Sequence, residues 1–141
     1  MVSENAIVSR LLHRESRSFL QYVRESFPWA SGKCESARAA VQRMADGEAA
    51  ALAKFARLML KKHMTLPSLG NFPDSFTDNN YLSVSYLIPK LASAQRQALT
   101  DLERDLTSVV DPDLRSASES LRDLKRSNLA ELDELGAVKA A

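Results

Sequence analysis

The chain has 141 residues, enough for one domain with a sizeable core, and it reads as a single domain over 1–141. Hydrophobic residues make up 45% and charged residues 26%, an ordinary globular balance, and only 4 glycines and 5 prolines interrupt a sequence rich in helix formers. A net charge of +1 argues against a dedicated nucleic-acid binder, and a single cysteine, Cys34, excludes an internal disulfide.

No apolar run is long enough for a transmembrane helix, and the stretch from Met1 to Ala30 lacks the apolar core of a signal peptide. A cytoplasmic protein without a membrane partner is expected. The first helical segment should run from Glu4 to Phe27. Ser3 is its N-cap candidate, and the acid Glu4 suits the positive end of the helix dipole. Val8, Leu11, Leu12, Phe19, Tyr22 and Val23 form its apolar stripe at helical spacing. Pro28 ends it, and Pro28-Trp29-Ala30-Ser31-Gly32 reads as a turn.

The second segment should cover Glu35 to His63, with the stripe Val41, Met44, Ala45, Leu52, Phe55, Leu58 and Met59. Lys61, Lys62 and His63 place positive charge at its C-terminal end. A long connection follows, from Met64 to Asn80. It carries Leu66, Leu69, Phe72 and Phe76, so it should pack down on the helices rather than extend into solvent. With Tyr81 and Tyr86, its aromatic residues could cap the helices or form a subunit contact, and packing within the chain is the expectation.

The third segment should run from Tyr81 to Val109, with Leu91, Ala94, Ala98, Leu102, Leu106 and Val109 on its apolar side. Pro89 should kink it or split off a first piece, Tyr81–Leu87. Asp111-Pro112-Asp113 is a strong start signal for the fourth segment: an N-cap, a proline at the first helical position and a second acid. That segment should end near Leu135, with Gly136 as a C-terminal cap and a frayed tail over Ala137–Ala141. Its stripe is Leu114, Ala117, Leu121, Leu124, Leu132 and Leu135.

The short turns make each half an antiparallel helical hairpin. The middle connection of about 17 residues could reach roughly 55 Å when extended. A helix of about 28 residues is roughly 42 Å long. The connection can therefore travel the full length of the molecule, which makes the second and third helices parallel. The expected fold is all-α, a four-helix bundle with this long crossover.

A carboxylate interrupts each of the first two stripes once, at Glu15 and at Glu48. The two are 33 positions apart, with their midpoint in the turn between Ser31 and Gly32, so they should face each other at one height. In the second half Gln95 lies beside the third stripe and Asn128 within the fourth, again 33 apart around Asp111–Pro112. Lys125 stands one turn before Asn128 and could share its direction.

This pattern resembles the ferritin-like superfamily of di-iron carboxylate bundles. That family places one Glu on each of two helices and a Glu-x-x-His pair on each of the other two. The resemblance covers the whole chain at the level of topology and motif position. It matches Glu15 to the first helix's Glu and Glu48 to the Glu of the second helix's pair. Ala51 stands at the histidine position, Gln95 at the third helix's Glu, and Lys125 and Asn128 at the fourth helix's pair. Most ligands are therefore replaced, and the resemblance implies a degenerate site with no catalytic residue, metal or cofactor. Two arrangements are open. Lys125 could neutralise Glu15 and Glu48 in a buried cluster where relatives hold iron, or the carboxylates could reach solvent at the edge of the seam.

Other candidates carry less. His13 faces away from Glu15 and reads as a surface histidine, and His63 as a dipole partner. Two histidines are too few for a haemerythrin-type site. Cys34, next to Lys33, lacks a nearby base. Arg10, Arg14, Arg17 and Arg24, and Arg122, Lys125 and Arg126 among the acids of the fourth segment, read as solvated faces. The leading expectation is a binding or assembly protein that could associate with copies of itself and does not bind nucleic acid. The alternative is an iron- or manganese-binding oxidoreductase with an unusual site around Glu15 and Glu48. A DNA-protecting bundle ranks last for want of basic charge.

Overall fold

The structure, a computed structural model, describes residues 3–26, 28, 34–79 and 83–140, the last three by backbone only. The expected turn Trp29–Gly32, the helix end at Phe27 and the helix start at Tyr81 lie outside these residues. All regular structure among the described residues is helical: α1 (Glu4–Ser16), α2 (Phe19–Ser26), α3 (Glu35–Lys61), α4 (Val84–Leu106) and α5 (Pro112–Ala140), with a 3-10 helix at Asp74–Asn79.

Among the described residues there are thus five α-helices where four were expected. The first segment breaks at Arg17 and Ser18, and the freed backbone groups find local partners. Ser18 Oγ accepts from Gln21 N at 3.3 Å, and Arg17 Nη1 donates to the Ser16 carbonyl at 3.2 Å. A serine that can cap a new helix makes a break inexpensive without glycine or proline. The break also shifts the buried face, so Leu20 and Gln21 join Phe19 and Val23 inside.

The caps at the other termini follow the sequence signals. Ser3 Oγ accepts from Ala6 N at 3.1 Å. Asp111 Oδ1 accepts from Asp113 N at 3.0 Å and Leu114 N at 3.1 Å, and Pro112 opens α5. α4 runs through Pro89 rather than shedding a first piece. Pro89 lies in the second turn after Val84, so only one carbonyl near the N-terminus loses its partner. At the end of α3, His63 adopts φ 59°, while His63 N and Met64 N donate to the carbonyls of Leu60 and Met59. This is the Schellman closure, with histidine where glycine is usual. Gly136 is not a cap, because α5 continues through it to Ala140.

α1 and α2 follow one another along the same flank and pack on α3 and α4, while α5 packs mainly on α4 and α3. The described core divides into two apolar clusters. One joins Leu11, Leu52, Phe55, Met59, Leu102, Leu114 and Leu121; the other joins Phe19, Leu20, Met44, Val84, Leu87, Leu91 and Leu132. The start of α3 therefore sits with the start of α4, and the two run in the same direction. Each fully buried Leu or Phe contributes about 1.5–3 kcal/mol.

The connection after α3 runs back along α1 and α2. Ser9 Oγ donates to Thr65 O at 3.3 Å, a His13 ring nitrogen lies 2.9 Å from Leu69 O, and Arg17 Nε donates to Gly70 O at 2.9 Å. Phe72 and Phe76 then meet Tyr22 and Phe19 edge-on or tilted, with ring centroids 5.2–5.5 Å apart. Tyr86 does not join them and is exposed.

Two substitutions should each raise stability by up to about 1 kcal/mol for opposite backbone reasons. His63→Gly relieves the left-handed conformation. Gly136→Ala removes a flexible residue from a helix, where the new Cβ would meet Ile88 Cγ2 at an ordinary 3.8 Å. Urea unfolding measures both; a loss of stability in Gly136→Ala would contradict its helical setting.

Candidate functional site

Between the two apolar clusters lies a polar layer to which every long helix contributes. Glu15 from α1, Glu48 from α3, Gln95 from α4, and Lys125 and Asn128 from α5 are all buried, and Lys125 has no exposed surface at all. The five residues singled out in the sequence are thus brought together. The reason lies in their spacing. On α5 the buried positions are Leu114, Ser118, Leu121, Lys125, Asn128 and Leu132, a column at intervals of three and four. Leu124, placed on the seam by the sequence reading, is only half-buried at its edge.

Lys125 Nζ is the centre of the layer. It lies 2.6 Å from Glu15 Oε1, 2.9 Å from Glu48 Oε1 and 3.4 Å from Gln95 Oε1. Glu48 Oε2 accepts from Gln95 Nε2 at 2.6 Å and from Asn128 Nδ2 at 2.8 Å. Glu48 is therefore fully satisfied. Glu15 is not: neither of its oxygens accepts an aligned hydrogen bond, although Oε1 lies 2.6 Å from Lys125 Nζ. Its Oε2 faces Arg14 Nε at 3.7 Å.

Arg14 carries the network further, since its Nη1 meets Asp105 Oδ2 at 2.8 Å. Asp105 is buried on α4, and neither it nor the inward reach of Arg14 was anticipated. Asp105 stands three residues after Leu102 and four before Val109, a helical spacing that would have revealed it. Arg14 was read as part of a solvated face because a long side chain can turn inward from a boundary position. Lys125 shared that assignment in part, as a neighbour of Arg122 and Arg126, which do pair at the surface with Asp123 and Glu103. Gln21 is another buried polar group outside the expected set, donating to Ala45 O at 2.8 Å.

Ala51, at the position of a family histidine, packs at the edge of the first apolar cluster. Among the described residues no group of three or more His, Cys, Asp or Glu side chains is gathered as a metal site. Cys34 is half-buried just before α3.

Burial pushes the Lys125 pKa down, but the charges of Glu15 and Glu48 outweigh it and hold the ammonium above its ordinary value. Isolated in a low-dielectric interior, any of these ions would cost several kcal/mol.

No family model, curated protein or solved structure matches the chain.

Lys125→Met should destabilise the protein by about 3–5 kcal/mol at neutral pH, because two buried carboxylates then lack a cation. Acidification should restore part of the loss as a carboxylate takes up a proton. In the unaltered chain the Lys125 contribution is complete below the ordinary lysine value of about 10.4 and is lost only as pH climbs through the raised value. Chemical unfolding of both forms across pH measures this; a Lys125→Met variant equally destabilised at acid and neutral pH would refute the account.

Proposed function

We propose that the chain is a divergent ferritin-like bundle that acts by binding or assembly and lacks a working di-iron centre. The observation that carries this reading is the Lys125 ammonium seated between the two carboxylates that match family ligands. A dinuclear centre needs several anionic oxygens and imidazoles to balance its charge. Here the two carboxylates are neutralised by an amine, and the remaining donors are the carboxamides of Gln95 and Asn128. These residues do not fit a pair of metal ions. A cation entering the layer would have to displace Lys125 into an apolar interior.

The order of packing adds support for the family likeness. α3 and α4 are parallel, joined by a strap along the molecule, and each packs on both α5 and the α1–α2 flank. A single long crossover between parallel helices is also what ferritin-like bundles use, which supports this reading.

The alternative, an iron- or manganese-binding oxidoreductase built around Glu15 and Glu48, predicts a different analysis of purified protein. We expect less than stoichiometric iron or manganese after incubation with either ion, and no change in Glu48→Ala. Stoichiometric metal that disappears in Glu48→Ala would overturn the proposal.

A further inference from the structure

The strap after α3 is held less firmly than the helices it crosses. From Thr65 to Asn79 none of its residues is buried, and Leu66 and Phe76 pack only at the margins of the two apolar clusters. The side chains of Ser9, His13 and Arg17 meet its carbonyls at 2.9–3.3 Å, all at exposed positions. Such bonds contribute little, because water replaces them when they break. The 3-10 segment closes on itself, with Thr77 Oγ1 donating to Asp74 O at 2.7 Å and Phe76 N to Pro73 O at 3.0 Å.

Space remains beneath the strap and beside it. Leu66, Pro67 and Leu69 bridge a cavity of about 300 Å³ over Leu12, Leu52 and Ala56. Pro73 and Phe76 border a larger groove of about 740 Å³ between α4 and the α1–α2 flank. An unfilled gap forfeits the dispersion contacts that a packed element gains on its underside. The helices below do not rely on the strap. The contacts of Lys125 with Glu15, Glu48 and Gln95, and of Glu48 with Asn128, all run from helix to helix.

We infer that the strap is a latch, which opens and closes as a unit while the helices stay assembled, and that Arg17 is its clasp. Arg17 Nε donates to Gly70 O at 2.9 Å, its Nη1 donates to Ser16 O at 3.2 Å, and its guanidinium lies 4.8 Å from the centre of the Phe72 ring. One side chain thus joins the α1–α2 break, the left-handed turn at Gly70 (φ 62°) and the first of the strap's two aromatic rings. It also lines both cavities. Release of the strap is a local opening, of the kind that takes place well below the free energy of global unfolding. It uncovers Leu12, Leu52 and Phe19, so the latch controls access to this apolar flank. The inference goes beyond the proposed role and holds whether or not the polar layer takes a metal.

Thermolysin digestion of the full chain in low urea, with the cut sites read by mass spectrometry, tests it. Cleavage is expected before Leu69 and Phe76, at a rate at least about tenfold below that of a free peptide of residues 65–79, since proteolysis follows the population of the open form. The rate should change little with urea until the helices melt, because opening the strap exposes little surface. The nicked chain should keep its helical circular dichroism and elute as one species. Arg17→Ala should speed strap cleavage by about tenfold, through loss of its hydrogen bond to Gly70 and its contact with Phe72. Phe72→Ala, which leaves the helix break untouched, should also speed it. Cleavage as fast as in the free peptide would overturn the inference, since no closed state then exists. So would cleavage that rises with urea as steeply as helix is lost, or fragments that separate once the strap is cut. Unchanged strap cleavage in folded Arg17→Ala would sink the clasp.

Discussion

The burial of one ammonium group governs how these helices meet. An isolated charge in the interior is costly, and the cost is offset only by close, well-directed acceptors. Lys125 has Glu48 as its directed acceptor, Glu15 as a second counter-charge at 2.6 Å and the Gln95 amide oxygen at 3.4 Å, each on a different helix. The apolar clusters on either side are less particular, since leucines and alanines pack acceptably in several registers. A slide of one helical turn, about 5.4 Å, would carry Lys125 away from both carboxylates. The polar layer thus ties the rotation and height of each helix to those of the others, while the apolar residues supply most of the driving force.

Much of this layer could be read in the sequence because a helix buries one column of residues, and a polar residue in that column is conspicuous. Glu15 and Glu48 stood out in this way, and their equal distance from the turn placed them opposite each other. Lys125 was harder. Leu124 competes with it for the seam, and only the column through Ser118 and Asn128 decides between them. Asp105 was missed although it stands in helical spacing with Leu102 and Val109, and Arg14 was missed because a long side chain can turn inward from a boundary position. The break at Arg17–Ser18 had no glycine or proline to announce it; a capping serine and tertiary packing outweighed weak local preference. Pro89, expected to kink the third helix or split it, does not split α4 because it falls close to the helix start.

The strap shows how a long irregular segment is accommodated. Its carbonyls have no strand or helix to receive them, and α1 supplies donors from Ser9, His13 and Arg17, spaced four residues apart on one face. In the sequence that face looks like a solvated one. Its polar residues are instead a rail along which the connection is fastened, and Phe72 and Phe76 secure the far end against α2.

The division of the polar layer has a consequence for how the chain acquires its structure. Glu15 and Glu48 belong to the N-terminal half, while Gln95, Lys125 and Asn128 belong to the C-terminal half. The Arg14–Asp105 pair, the Lys62–Asp111 pair and the bonds that Glu4 Oε1 accepts from Val110 N and Asp111 N cross the same boundary. The first half alone would hold two buried acids without a counter-charge, and the second a bare ammonium. Neither is a self-sufficient folding unit on these terms. Each is the complement of the other, as the pieces of a cleaved protein are when they recover their structure only on mixing.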